Sequence, residues 1–457
     1  MTTSTPIRVS VIFLSFHLLC MSQDSEAVSS GKLVTYLPGL AVQPLPFHLE
    51  TGYIGVGSRS SKSSTQDDVD GFNQLFYYFV KSERNPKEDP LVLWLTGGPR
   101  CSEFSALAIE IGPIYIDKVV QYNNGSIPTL SLNPNSWTKI ANIIFLDEPV
   151  GTGFSHSKSS HESTIGDLES AENTYEFLIK WLTQNPEFRS NPLYISGDSY
   201  SGIIVPIIVQ DLIRDIDNAK YPFLNFKGYT LGNPVTDARM EENAKVQFAY
   251  NLGFISYELY QLISGINQNQ VMEPLCNNSL ITIPQLNWMT NYRRRRVFWT
   301  GIYLHCYVFE KKNYGSVLFE YWANNDVVQK ALHVRKGTIK KWVRCNSDLQ
   351  YKMEVTSSIE YYQNISSRGY RYLIYSGDHD MMVPHISTKA WIRSLTNLTI
   401  AEDWRLWNVK EQVAGYTVTF SNGLTYATVK GGGHTAPEYK PEECYGMFER
   451  WISNTLL

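Results

Sequence analysis

Ser199 lies at the centre of Gly197-Asp198-Ser199-Tyr200-Ser201-Gly202, between an apolar run from Leu193 and a second one, Ile203 to Val205, that ends at Pro206. A serine at the apex of a sharp strand-to-helix turn has its hydroxyl lifted out of the sheet edge, where it can act as a nucleophile. Crowding at such a turn demands small neighbours, and Gly197, Ser201 and Gly202 supply them. The last position of G-x-S-x-G is Ser201 here, so the short pattern alone marks no more than a Gly/Ser turn. A hydroxyl nucleophile also needs a base, and the base needs a carboxylate to orient it; in one common arrangement the chain order is serine, acid, histidine. Downstream, Ser376-Gly377-Asp378-His379-Asp380 follows the apolar run Tyr370 to Tyr375, and His434 follows three glycines, Gly431 to Gly433. Asp380 is assigned the orienting role in preference to Asp378, whose place in the turn suits bonding to backbone N–H groups. The tetrahedral intermediate of acyl transfer needs two backbone donors for its oxyanion. The N–H of Tyr200 is one, and Thr96-Gly97-Gly98-Pro99 offers the other, with Gly98 as the donor. This chemistry calls for no metal and no cofactor.

The elements needed to position these residues are legible as alternation. Gln74 to Val80, Leu91 to Leu95 and Ile140 to Leu146 read as strands, the last two continuously apolar, as central strands of a parallel sheet should be. Between Ile165 and Leu182 the apolar residues Leu168, Ala171, Tyr175, Leu178, Ile179 and Leu182 recur at helical spacing before Asn185-Pro186 stops the run. Strand and helix then alternate through Ser199 to Phe226–Leu231, and again through a helical pattern over Val317–His333, a strand at Tyr370–Tyr375 and a helix at His385–Leu395. Tyr416 to Val429 reads as a hairpin around Ser421-Asn422-Gly423, and Glu442 to Ile452 as a closing helix. The class is α/β: a mostly parallel sheet with helices on both faces. From about 243 to 314 the periodicity breaks down, which predicts an inserted cap over the carboxyl edge of the sheet. Arg293 to Arg296 fall inside it and read as a solvated face.

Forty Lys and Arg against 44 Asp and Glu give a net charge of −4, which supplies no field for a polyanion and argues against nucleic acid as a partner. Residues 1–29 have the layout of a secretory signal: Arg8, a short apolar run from Val9 to Leu19, then polar residues with a cleavage site near Ala27. No other stretch is long and apolar enough to span a bilayer. One domain, 30–457, remains for the secretory pathway, secreted or vacuolar. Four sequons, at Asn124, Asn277, Asn364 and Asn397, fit that route. Without Cys20, five cysteines are left, which allows at most two bridges and one free or intermolecular thiol.

Five long motifs resemble the serine carboxypeptidase family from Gln74 to the C-terminus. They are Leu93-Trp-Leu-Thr-Gly-Gly-Pro99 with Cys101-Ser102, Phe145-Leu-Asp-Glu-Pro-Val-Gly-Thr-Gly-Phe-Ser155, Gly197 to Gly202, Gly377-Asp-His-Asp380 and Gly432-Gly-His-Thr-Ala-Pro437. The resemblance implies an α/β-hydrolase fold, a Ser199–Asp380–His434 triad, an oxyanion hole from Gly98 and Tyr200, and a Cys101–Cys345 disulfide. Cys276 and Cys306 are then free to pair, leaving Cys444 as the odd thiol. Peptidases of the family hold the substrate's terminal carboxylate with an Asn before the double glycine and a Glu before the serine. Here Thr96 and Asp198 take those positions beside Gly97, while Glu110 retains the remaining acidic partner. That pattern resembles the plant serine carboxypeptidase-like acyltransferases, which implies a glucose-ester donor, a serine acyl-enzyme and an acceptor alcohol. Two departures stand out. Arg100 replaces a family glycine, which predicts a non-glycine residue in the left-handed region with its side chain, and that of Glu103, against the oxyanion loop; and the cap is shortened after Leu262. They raise the reading of a catalytically impaired relative; a serine carboxypeptidase is a separate rival, disfavoured by Thr96 and Asp198.

Overall fold

The computed structural model describes residues 31–57, 72–116, 126–158, 164–254, 317–396 and 398–457. Eleven of its strands make one continuous sheet: β1 (Lys32–Val34), β2 (Leu49–Val56), β3 (Asn73–Val80), β4 (Leu91–Leu95), β5 (Asn142–Leu146), β6 (Leu193–Asp198), β7 (Phe226–Gly232), β8 (Arg371–Gly377), β9 (Ile400–Val409), β10 (Gln412–Phe420) and β11 (Leu424–Val429). Their order across the sheet is β1-β2-β3-β5-β4-β6-β7-β8-β11-β10-β9, and a two-residue twelfth strand, His156–Ser157, pairs with β3. The centre, from β5 to β11, is parallel, and both flanks are antiparallel. Expectation and structure agree on the class: an α/β fold with a mostly parallel sheet.

The two faces bury different halves of each central strand, as a period of two requires. Leu91, Leu93 and Leu95 of β4 join a core with Phe177, Leu178 and Trp181 of helix α1 (Asp167–Gln184) and Ile204, Ile208 and Leu212 of helix α2 (Ser201–Asp217). Val92 and Trp94 of the same strand face the other core, and the terminal helix contributes Met447, Phe448 and Trp451 to it. With helices on both faces, side chains that do chemistry are left the carboxyl edge of the sheet.

Helix α3 (Ala238–Asn251) runs across the boundary placed near 243. Asp237 caps α3 by accepting from the N–H groups of Arg239 and Met240 at 3.1 and 3.0 Å. Only Glu241, Ala244, Phe248 and Ala249 of α3 are buried, too thin an apolar stripe to stand out as periodic. The rest of the expected cap, with Arg293 to Arg296, Cys276 and Cys306, lies outside the described residues, as do the proposed signal and Asn124, Asn277 and Asn397. Asn364 is described, exposed on the helix Ile359–Ser366. The helical pattern over 317–333 is broken in the structure: Asn325 caps a separate helix, Asp326–Ala331, by accepting from the N–H of Val327.

Candidate active site

Strand β6 ends at Asp198 and α2 begins at Ser201, leaving two residues to reverse the chain. Ser199 takes φ +53°, an uncommon value for a residue with a side chain. The surroundings hold it there: its N–H donates to the carbonyl of Gly232 at 2.9 Å, and its carbonyl accepts from the N–H of Val235 at 2.8 Å. Ser201 is small enough to fold its hydroxyl back on the Asp198 carbonyl at 2.7 Å.

Three chain segments meet at this turn. Ser199 Oγ lies 2.7 Å from His434 Nε2, in the loop after β11, and His434 Nδ1 lies 2.8 Å from Asp380 Oδ2, in the loop after β8. Asp380 is fully buried; its Oδ1 accepts from the N–H of Met382 at 2.8 Å and its Oδ2 from Asn233 Nδ2 at 2.7 Å. A carboxylate on Nδ1 puts the imidazole proton there and leaves Nε2 to accept from the serine hydroxyl. Burial acts to lower the His434 pKa, but the charge of Asp380 and the bond to it outweigh burial, and the net direction is upward. Asp378 instead accepts from the N–H of Gly431 at 2.6 Å, tying the two loops together.

Gly97 and Gly98 pass directly over the turn. A Cβ on Gly97 would come within 2.5 Å of both Ser199 Cβ and the Tyr200 nitrogen, so only glycine permits this approach. Gly98, at φ +130°, is exposed. Among the described residues, neither its N–H nor that of Tyr200 has a hydrogen-bond acceptor, which leaves both open to a ligand oxygen. The Tyr200 hydroxyl donates to Asp167 Oδ1 at 2.9 Å, as does that of Tyr351.

Arg100 does adopt the left-handed region, at φ +76°. Its side chain does not press on the loop: the guanidinium donates to the carbonyls of Ser347 and Leu349, at 3.2 and 2.8 Å. The Cys101–Cys345 disulfide closes the same contact, flanked by bonds from Ser102 N–H to the Arg344 carbonyl and from Asn346 N–H to the Arg100 carbonyl. Cys444 is a free, fully buried thiol on helix α4 (Pro441–Ile452), which makes it a core residue; burial pushes its pKa well up.

Beneath the loop is a group of buried carboxyls. Asp147 Oδ1 accepts from Ser102 Oγ at 2.6 Å and from the N–H of Glu103 at 2.9 Å, and its Oδ2 from the N–H of Phe154 at 2.9 Å. Burial raises it to about 7 against those bonds. Glu103 grips Thr96, with Oε1 on the amide and Oε2 3.0 Å from Oγ1. Asp198 Oδ1 accepts from the N–H of Gly97 at 3.1 Å. Both oxygens of Glu110 lack a partner among the described residues. Burial raises Glu110 and Asp198, the charge of Asp198 raises Glu110 further, and Arg344 draws both back down.

The profile of the family described as serine carboxypeptidase matches residues 38–454. Serine carboxypeptidase-like 16 of Arabidopsis thaliana is 47% identical, over 95% of this chain and 96% of its own length. Serine carboxypeptidase-like 17 of the same plant is 45% identical, over 96% and 97%. The chain belongs to the serine carboxypeptidase family. Among solved structures, Kex1ΔP, a prohormone-processing carboxypeptidase from Saccharomyces cerevisiae, superposes with a TM-score of 0.69 at 20% identity, over 92% of this chain and 95% of that one. That likeness carries the fold, which is α/β-hydrolase. Family membership makes the chain a serine hydrolase-type protein.

Of the residues singled out from sequence, Ser199, Asp380 and His434 come together, and Gly97, Gly98, Tyr200, Thr96, Glu110 and Asp198 surround them. Asn233, Arg344 and the grip of Glu103 on Thr96 went unread. Asn233 had a faint signal in Gly232-Asn233-Pro234, a turn closing a strand; it adopts φ +43° and its Oδ1 accepts from the N–H of Gly377 at 3.1 Å.

Proposed function

We propose that the protein is an acyltransferase that moves an acyl group, of hydroxycinnamoyl type, from a 1-O-β-glucose ester to an acceptor hydroxyl, in the secretory pathway or vacuole. Ser199 Oγ attacks the ester carbonyl as its proton passes to His434 Nε2. The N–H groups of Gly98 and Tyr200 hold the oxyanion, while Asp380 stabilises the imidazolium. The intermediate collapses, the proton goes to the departing glucose oxygen, and the acyl group remains on Ser199. The acceptor hydroxyl then gives its proton to His434 and attacks the acyl carbon, and Ser199 recovers its proton. Water competes at about 55 M, but a bound acceptor reaches effective molarities of ~10⁵ M or more, so positioning alone favours transfer.

The observation that carries this reading over the carboxypeptidase one is the engagement of Thr96 by Glu103. A peptide's terminal carboxylate needs donors, and here the Thr96 amide and hydroxyl both face a carboxyl, with only the short Asp198 beside them. The impaired reading rested on Arg100 intruding and on a shortened cap; the guanidinium is turned away, and the stretch after Leu262 lies outside the described residues. The test is mass spectrometry of glycosylated protein incubated with a 1-O-sinapoylglucose-type donor and a panel of alcohols, beside Ser199→Ala. Serine-dependent ester products are expected; release of free amino acids from peptides, with no transfer, would replace this reading by the carboxypeptidase one.

A further inference from the structure

Helix α2 and the helix Ile359–Ser366 are in close contact near the start of α2, where the Tyr362 hydroxyl and Ser358 Oγ both donate to the Gly202 carbonyl at 2.9 Å. Along the second half of α2, away from Ser199, the two leave a surface groove of about 420 Å³. That volume lies in the range of small-ligand clefts. The apolar lining is Ile213 and Ile365, 5% and 2% exposed. The polar lining comes from both sides: Gln210 and Arg214 lie one turn apart on α2, and Asp217 pairs with Arg368 across the gap. A sugar ring suits such a lining, because its carbon–hydrogen face can rest on the isoleucines while its hydroxyls bond to the polar rim.

Asn364 also lines the groove, and it opens Asn364-Ile365-Ser366, a sequon that the reaction at Ser199 does not use. Its side chain is held over the gap, with Nδ2 donating to Gln210 Oε1 at 3.2 Å. An amide nitrogen has two hydrogens, so a sugar can replace one while the other keeps that bond. Ser366, the third residue of the motif, is 4% exposed, and its hydroxyl donates to the Gln363 carbonyl at 2.8 Å. The folded chain hides part of the acceptor motif, so a sugar has to be attached before this helix packs.

We propose that Asn364 carries an N-linked oligosaccharide whose first sugar, an N-acetylhexosamine, seats in this groove and ties α2 to the helix Ile359–Ser366. In the transfer, a bond forms between Asn364 Nδ2 and C1 of that sugar, the bond from C1 to the pyrophosphate of a lipid-linked oligosaccharide breaks, and the proton lost by Nδ2 accompanies the departing lipid pyrophosphate. The inference rests on the secretory route proposed above and is independent of the chemistry at Ser199.

The test uses the full chain secreted by mammalian cells, with each of the four sequons mapped by mass spectrometry. Asn364 is expected to be occupied. Peptide:N-glycosidase F, which cleaves the bond between sugar and asparagine, is expected to release its oligosaccharide at least about 10-fold more slowly from folded than from denatured protein, as when cleavage waits on local opening. Arg214→Trp puts a bulky ring into the groove from an exposed position on α2. That variant, shown by its melting curve to be folded, is expected to stay occupied, because transfer precedes folding, and to lose the protection. An unmodified Asn364 beside an occupied Asn124, Asn277 or Asn397 overturns the proposal alone, whereas four bare sequons overturn it together with the secretory route. An occupied Asn364 whose oligosaccharide leaves as fast from folded as from denatured protein refutes the seat, and so does protection that persists in Arg214→Trp.

Discussion

Replacing Gly97 by alanine is the smallest change that addresses the geometry around Ser199. The added methyl would sit 2.5 Å from Ser199 Cβ, 2.5 Å from the Tyr200 nitrogen and 2.9 Å from the Asp198 carbonyl oxygen. Ordinary contact begins near 3.4 Å, so loop and turn must part by about 0.9 Å. The turn is the stiffer partner, pinned by backbone bonds to Gly232 and Val235, so the loop is what moves. Overpacking of this kind costs about 1–3 kcal/mol of stability. A separation near 1 Å between oxyanion donors and nucleophile costs about 10²-fold in rate. Gly97→Ala is therefore expected to remain folded, with a lowered melting temperature, and to label with a fluorophosphonate about 10²-fold more slowly than the natural protein. Labelling at the natural rate, from folded protein, would mean that Gly98 does not supply the oxyanion donor.

Arg100→Gly tests the impaired reading directly. Relief of a left-handed residue, worth about 1–2 kcal/mol, is offset by the two guanidinium bonds lost, and since the side chain points to Ser347 and Leu349 the labelling rate should not change; a large gain would show that Arg100 does obstruct the site. Stability should also fall as pH rises from about 6.5 to about 8.5. Asp147 and Glu241 are raised by burial to about 7 and Glu148 to about 8, so in this window the folded state holds protons that the unfolded state has already lost. Folded pKa above unfolded means stabilisation in acid that disappears as these groups ionise, roughly 3 kcal/mol in all over the window. The half-buried histidines His156, His333 and His385 are lowered by burial and act in the opposite sense, but only below about 6.5. Calorimetry showing a flat or rising melting temperature across the window would contradict it.

How much was legible follows from what kind of signal each feature leaves. Strands β4 to β8 are buried on both faces and announce themselves as apolar runs, and the Gly-rich turns after β4, β6 and β11 are punctuation that survives in composition. Strand β2 was missed, and so was β9, whose residues are mostly exposed and whose pairing with β10 is interrupted by register shifts. Asp380, preferred to Asp378 on turn chemistry that is local, is the residue bonded to His434. The grip of Glu103 on Thr96 spans seven residues and a reversal of direction, and no periodicity encodes it. The orientation of Arg100 depends on Cys345 bringing residues 347–349 alongside, a contact 244 residues distant in sequence at the disulfide.

At the proposed site one ionisation sets the acid limit of activity. His434 must be neutral to take the Ser199 proton, and Asp380 holds its pKa up, so activity should be lost as pH falls through that raised value. Asp198 acts in the same sense as Asp380: its charge favours the imidazolium form of His434 and disfavours ionisation of Glu103 and Glu110. Deprotonating Asp198 therefore shifts that limit upward.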